Sequence, residues 1–554
     1  MTLSLQGMNA PVPAPPEPAA SLRSLAVLLA MLVMPARGLA QQSCASLSAL
    51  KISNAAITLS EDVPGGPSRL LPSRVNLPPY CRVAGVIKPT SDSDIKFEVW
   101  MPNTPNWNGN FEGVENGGFG GFINRDALAT ALHAGFATAS TDSGHAAGWM
   151  DAQWSVGHPE KVVDFGYRAI HLMTVSARAV VQSYYGTAAR RAYFTGCSNG
   201  GRQGLMEAQR FPEDYDGIIA GAPVNFMTHL VAAAIWDSQA TLSSRASYIP
   251  ASKLPTIHNA VMNACDDEDG IKDGIISNPG RCHFDPKTLL CQGADTNACL
   301  TAPQVAALDK LYSGPSNSHG QQIYPGLMPG GELGLNSWVT WITGSAPNMN
   351  GQFVLGMEFF SNMVFENPGW DYRKFNFDSD VQLTDKKLAQ ALNATDPNLE
   401  PFRVRGGKVI LYHGWADSAA PPLNTVNYYQ SVVAAMGRRE ADSFLRLYMV
   451  PGMQHCGDGP GPCSFGADPA EDLDPEHSVF RSLEEWVEHG VAPLKIVASR
   501  NVSPDNPAGG TIMSRPLCPY PEFANYKGSG DTHEASNFIC VDGGLNPSRD
   551  IVRK

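Results

Sequence analysis

The chain has 554 residues, 43% of them apolar and 17% charged, which is ordinary for a folded protein. That length exceeds what one simple core fills, so a large domain with an insertion or a second domain is expected. Its 40 basic and 53 acidic residues give a formal charge of −13 without any basic run. This excludes an electrostatic nucleic-acid surface and points to solubility rather than a charged partner.

The first element in chain order is an export signal. Arg23 precedes an apolar run from Leu25 to Val33, and Gly38-Leu39-Ala40 offers small residues for cleavage after Ala40. This makes residues 1–40 a leader, with Met8 as an alternative start behind the proline-rich stretch Pro11 to Pro18. The run is too short to span a bilayer comfortably, and no cysteine follows the cleavage point. Neither stable membrane insertion nor a lipid anchor is expected; the destination is the periplasm or the exterior. In that setting the 11 cysteines read as disulfide partners, with at least one left over.

Ile95 to Met101 and Phe136 to Thr141 read as strands, with a further strand near Phe111. Glu160 to Tyr185 carries helical periodicity through Val163, Tyr167, Ile170, Met173 and Ala177. Ala192 to Thr195 is a short strand, Gln203 to Arg210 a helix, and Gly217 to Gly221 the next strand. From about Phe226 to Glu400 the texture changes to Pro, Asn, Gly, Cys and aromatics, with weak strand signals. Lys408 to Tyr412 and Leu445 to Val450 then return as buried-type parallel strands, and Val479 to His489 closes as a helix. The pattern fits an α/β-hydrolase fold, a mostly parallel sheet flanked by helices, split by a large lid. The expected division is 41–225 and 401–554 for the catalytic domain and 226–400 for the lid.

Between the Ala192 strand and the following helix lies Gly196-Cys197-Ser198-Asn199-Gly200, a G-x-S-x-G turn of the kind that lifts a nucleophilic serine above a sheet. Acyl transfer on this fold needs an acid and a base in the order Ser, Asp, His. Asp417 follows the strand Lys408 to Tyr412, and His455 follows Leu445 to Val450. Both loops leave the C-terminal edge of the sheet, where open α/β sheets place their sites. Ser198 is therefore the candidate nucleophile, His455 the base and Asp417 its orienting acid. His413 ends its strand and is read as packing or bonding locally; His145 precedes the serine, the wrong order for the base. The backbone N–H groups of Asn199 and of Gly118, in the loop Gly117 to Gly121, are the candidate oxyanion donors, with Gly117 close behind Gly118.

Cys197-Ser198, Asp417 and His455-Cys456 together resemble the CS-D-HC pattern of the tannase and feruloyl esterase family. Pro105 to Gly109 and Phe165 to Ala169 look like that family too, and the resemblance spans roughly Cys44 to Cys540. It implies a disulfide between Cys197 and Cys456, tying nucleophile to base. It also implies the pairs Cys44–Cys81, Cys265–Cys282, Cys291–Cys299 and Cys518–Cys540, leaving Cys463 over.

The stretch Asp266 to Ile275 packs carboxylates around two glycines, a composition suited to Ca²⁺ although not an EF-hand. The resemblance implies a structural calcium site in the lid, formed by Asp266, Asp269 and Asp273 with the carbonyls of Ile271 and Ile275. Trp338, Trp341, Phe353, Met357, Phe359, Phe360, Met363, Phe365 and Trp370 make the later lid aromatic and rich in methionine. Individually such residues are usually core; together they suit an aromatic acyl group. Arg373, Arg403 and Arg405 are possible partners for a substrate carboxylate, though none is convincing as a clamp. The resemblance thus implies a secreted serine carboxylesterase for feruloyl, other hydroxycinnamoyl or galloyl esters, acting through an acyl-enzyme. Family alternatives include mono(2-hydroxyethyl) terephthalate hydrolysis. Rivals outside the family are a lipase or peptidase of the same fold and a non-catalytic binding protein. The substrate is a small aromatic ester; whether the protein is a monomer or a homodimer is left open.

Overall fold

Runs of apolar residues with no polar face are what a central parallel strand requires, because helices cover both of its sides. Gly217–Gly221, Lys408–Gly414 and Leu445–Val450 are such runs, buried from end to end but for Lys408 and Arg446. The computed structural model describes residues 41–67, 76–469, 474–502 and 510–543; the expected leader over 1–40 lies outside them.

The central sheet has nine strands. They are β1 (Ala55–Val63), β2 (Tyr80–Ile87), β3 (Ile95–Pro102), β4 (Phe111–Val114), β5 (Ala137–Thr141), β6 (Ala192–Cys197), β7 (Gly217–Gly221), β8 (Lys408–Gly414) and β9 (Leu445–Val450). Their spatial order is β1-β2-β3-β5-β4-β6-β7-β8-β9. The pairs β1/β2, β2/β3 and β3/β5 are antiparallel. From β5 through β4, β6, β7 and β8 to β9 every pair is parallel. All six parallel strands therefore release their loops at one edge, the place where this fold builds sites.

Three helices anchor that half. α1 (Ala169–Tyr185) buries Ile170, Met173, Ala177 and Val181 and ends at Gly186, whose φ of 73° gives the left-handed C-cap. The expected single helix from Glu160 is instead interrupted by a π-turn over Asp164–Arg168. There Arg168 bonds Asp164 and Glu160 of the same segment and Ser93 Oγ from outside it. α2 (Asn199–Arg210) begins directly after Ser198, four residues earlier than its apolar spacing suggested, because glycines carry its first turn. α3 (Val479–His489) is capped by Ser478, which accepts the Arg481 N–H, and buries Val479, Phe480, Leu483 and Trp486. Each such side chain contributes about 1.5–3 kcal/mol by leaving water.

The inserted region between β7 and β8 differs from its weak strand texture: it is mainly helical, beginning with the helix Met227–Leu242. That helix is buried on most sides, so no single apolar stripe marks it in the sequence. Two apolar clusters fill the insertion, one around Phe359, Phe360 and Ile235, the other around Trp338, Ile257 and Leu308. Beyond α3 the chain adds two antiparallel hairpins, Ile496–Asn501 with Thr511–Leu517 and Glu522–Tyr526 with Phe538–Asp542. Five disulfides close: Cys44–Cys81, Cys197–Cys456, Cys265–Cys282, Cys291–Cys299 and Cys518–Cys540. Cys463 keeps a free thiol, whose pKa burial raises. No described helix is long and apolar enough to cross a membrane.

Candidate active site

β6 runs into α2 through a turn too sharp for ordinary backbone. Ser198 sits at φ 62°, ψ −120°, a left-handed conformation that costs about 1–3 kcal/mol unless its surroundings enforce it. They do: its N–H donates to the Gly221 carbonyl at 2.9 Å, and its own carbonyl accepts from Arg202 and Val224. The flanking glycines are required by contact. A Cβ on Gly196 would press on the Gly200 backbone, and one on Gly200 would collide with the Glu115 side chain.

The loops after β8 and β9 converge on this elbow. Asp417 is fully buried, and its Oδ2 accepts from His455 Nδ1 at 2.7 Å. The same oxygen lies 3.0 Å from His413 Nε2, while Oδ1 accepts the Ala419 and Ala420 N–H groups at 2.8 and 2.9 Å. Burial alone would raise the carboxyl's pKa. The charge of His455, with hydrogen bonds from both histidines, outweighs it and holds Asp417 well below the usual carboxylate range. His413 also reaches Thr425 Oγ1 and the Ala420 carbonyl. The Cys197–Cys456 bond spans 5.9 Å between Cα atoms and brings the neighbours of Ser198 and His455 together.

The inserted region braces this geometry. Asn336 Nδ2 donates to the His455 carbonyl, and Trp341 Nε1 donates to Asn336 Oδ1 at 2.7 Å. Gln454 Nε2 holds the Gly331 carbonyl, and Gln352 Nε2 bonds the carbonyls of Ser418 and Ala419. The insertion thus touches the loops that carry Asp417 and His455.

Asn199 opens α2, where a backbone N–H has no partner within the helix. Its side chain donates to the Asn116 carbonyl and accepts from Arg202, which ties the helix start to the glycine loop. Gly118 has φ 58°, and a Cβ there would strike the Trp149 carbonyl. Gly117 meets nothing, and its carbonyl accepts the Gly120 N–H. His145 is occupied elsewhere: Nε2 bonds the Phe119 carbonyl at 2.8 Å, the ring stacks on Trp154, and burial pushes its pKa down to about 4.

Of the aromatic lid residues, Trp341 alone has its ring packed against His455, edge to face at 5.7 Å between centroids. Phe359, Phe360, Met363, Phe365 and Trp370 belong to a packed cluster. The exposed indole of Trp149 meets Trp341 edge to face at 6.4 Å. Sequence reasoning missed Trp149; the signal available was its place in the loop after β5, at the same sheet edge. Arg373, Arg403 and Arg405 are engaged by Asp371, Glu400 and Asp216.

In the acidic loop, Asp266 accepts the Gly274 and Ile275 N–H groups, and Asp269 accepts Ile271 N–H and Ser277 Oγ. Asp273 accepts Ile275 N–H and pairs with Arg515. Burial pushes Asp269 up to about 6 and also raises Asp273. Among the described residues neither the Ile271 nor the Ile275 carbonyl accepts a hydrogen bond. A different group, His171, Glu207 and Asp214, is a potential metal-binding cluster in the catalytic half, with ligand atoms all within 4.8 Å of one another. Among the described residues no other set of three acidic, histidine or cysteine side chains is that tight, so the aspartates of the acidic loop stand further apart.

Fold and site together define a carboxylic ester hydrolase on the α/β-hydrolase scaffold, with an inserted lid-like region. Residues 81–541 match the family model described as tannase and feruloyl esterase, and the chain belongs to that family. It is 42% identical over 548 residues to an uncharacterised esterase of Xanthomonas campestris pv. campestris, covering 94% of each chain. It is 36% identical to a mono(2-hydroxyethyl) terephthalate hydrolase of Piscinibacter sakaiensis, covering 85% of this chain and 86% of that one. The crystal structure of feruloyl esterase B from Aspergillus oryzae superposes with a TM-score of 0.82 at 30% identity, covering 90% of this chain and all of the other.

Proposed function

We propose that the protein is an exported serine carboxylesterase that cleaves esters of aromatic acids, feruloyl or other hydroxycinnamoyl and galloyl esters foremost. Ser198 Oγ attacks the ester carbonyl while His455 takes its proton and passes it to the leaving alcohol. Asp417 fixes the imidazole tautomer and stabilises its charged form. The N–H groups of Asn199 and Gly118 receive the oxyanion, a contribution of about 3–4 kcal/mol per donor. Water, deprotonated by His455, then releases the acid from the acyl-enzyme. The observation that carries this reading is the disulfide joining the nucleophile elbow to the base loop, with His455 in turn bonded to buried Asp417. Trp341 and Trp149, packed beside His455 and Gly118, supply aromatic faces for the acyl group.

Calcium is assigned to the acidic loop as a structural ion. The donors are hard oxygens, the carbonyls of Ile271 and Ile275 are left free, and burial raises the pKa of Asp269 and of Asp273, whose neighbour Arg515 only partly offsets it. Asp266, Asp269, Asp273 and the carbonyls of Ile271 and Ile275 would hold it, where it would pin the loop rather than act on substrate. We read the catalytic domain as 41–225 and 401–554 and the lid as 226–400. Five disulfides agree with an oxidising compartment, periplasmic or extracellular.

The decisive measurement is kcat/KM for methyl ferulate, methyl gallate, chlorogenate and mono(2-hydroxyethyl) terephthalate, alongside Ser198→Ala. The proposal expects ferulate or gallate esters to lead and the variant to lose turnover and fluorophosphonate labelling while keeping its fold. Turnover by Ser198→Ala at the wild-type rate overturns the nucleophile, a clear preference for the terephthalate monoester overturns the hydroxycinnamoyl and galloyl preference, and no turnover of any of the four overturns the substrate class.

A further inference from the structure

Glu115 follows β4 by one residue, two residues before the loop that carries Gly118. Its side chain lies flat against the first turn of α2, in the space that a Cβ on Gly200 would need. It packs from the end of β4 onto the start of α2, beside one of the two assigned oxyanion donors, and its own backbone leads two residues on into the loop that carries the other. The residue as a whole is half-buried, yet Oε2 is sealed from solvent and has no partner. No role in the reaction has used this carboxyl.

We propose that Glu115 is a positioning residue for the oxyanion hole, its side chain packed on the Asn199 turn and its backbone leading into the Gly118 loop, so that it fixes their separation. Burial pushes its pKa up to about 8; the Cys197 backbone N–H draws it down, without outweighing the burial. At neutral pH the side chain is an uncharged acid, and no negative charge opposes the anion forming on the substrate. Above that pH the carboxylate forms directly behind the hole and repels the same anion. The titratable group facing it from β8 is Tyr412, whose phenol is raised by burial and by the charges of Glu115 and Asp468. From α2 it faces Gly200, and from β6 the disulfide-bonded Cys197; neither titrates.

The inference rests on Ser198 as nucleophile, so the test keeps the two apart. The pH dependence of kcat for methyl ferulate is measured from pH 6 to 10 for wild type, Glu115→Gln and Glu115→Ala, with fluorophosphonate labelling of Ser198 in each. For wild type, kcat is expected to fall about tenfold per unit above pH ~8, the behaviour of a single ionisation. Glu115→Gln removes that alkaline limb. Glu115→Ala lowers kcat about tenfold at pH 7 with KM within about threefold, and the glutamine variant restores most of that loss. Wild type and Glu115→Gln with superimposable profiles overturn the inference, even if the alanine variant does not fold. Absent labelling of wild-type Ser198 overturns the nucleophile assignment instead.

Discussion

Replacing both Cys197 and Cys456 by alanine separates stability from catalysis. The bond closes a loop of 259 residues, which the chain-entropy model values at about 5.5 kcal/mol. With an unfolding entropy of roughly 2 cal/mol/K per residue, a chain of this size has a total near 1 kcal/mol/K, so Tm should drop by about 5 °C. Catalysis should suffer separately, because the bond aligns Ser198 with His455: kcat for methyl ferulate is expected to fall about 100-fold with little change in KM. The control is Cys291→Ala with Cys299→Ala, whose loop of eight residues is worth about 2.5 kcal/mol and lies in the lid. It should lower Tm and leave kcat intact. Scanning calorimetry and steady-state kinetics read both quantities. A Cys197/Cys456 double variant that melts early yet turns over like the control refutes the positional argument. An unchanged Tm refutes the entropic one.

Further outcomes follow from the same geometry. Asp417→Asn should cost about 10⁴ in kcat, the scale seen when the imidazole loses its orienting carboxylate; a loss under tenfold in steady-state assays would return the acid role to another residue. Gly118→Ala forces a Cβ against the Trp149 carbonyl at a positive φ, so kcat should fall about 10²-fold or more, in line with loss of an oxyanion donor. Wild-type turnover by a folded Gly118→Ala protein would move the donor elsewhere. Chelation of metal-loaded protein should lower Tm by several degrees, and Asp269→Asn should abolish both that shift and the bound calcium measured by mass spectrometry. Equal melting with and without chelator, in protein shown to hold calcium, contradicts the structural role.

Much of the catalytic half was legible because its strands are locally marked. β7, β8 and β9 are short apolar runs bounded by turn residues, and the strand–loop order alone places Asp417 and His455 at the edge that carries Ser198. In the antiparallel half only β3 was legible, as Ile95 to Met101; β1 and β2 were not. β1 alternates between half-buried and exposed positions, and its place is set by pairing with β2, which no local pattern encodes. The same limit applies to His413. Its spacing from Asp417 is visible, but sharing Oδ2 with His455 depends on the turn that sends the Ala419 and Ala420 N–H groups to Oδ1. In the lid, the aromatic stretch reads as one feature, yet packing consigns most of it to core and leaves Trp341 against the base. Trp149 owes its position to the backbone of the glycine loop, where Phe119 N–H bonds its carbonyl.

The acidic loop of the lid is finished by a residue from the far end of the chain. Arg515, itself buried, pairs with Asp273, and the Tyr526 N–H reaches the Asp269 carbonyl. Asp273 therefore depends on a residue beyond 510 for the partner of its charge. As the chain emerges from ribosome or translocon, the nucleophile, the lid and the base all precede that clasp. A chain cut short before the final hairpins therefore leaves Asp273 with no arginine to pair with.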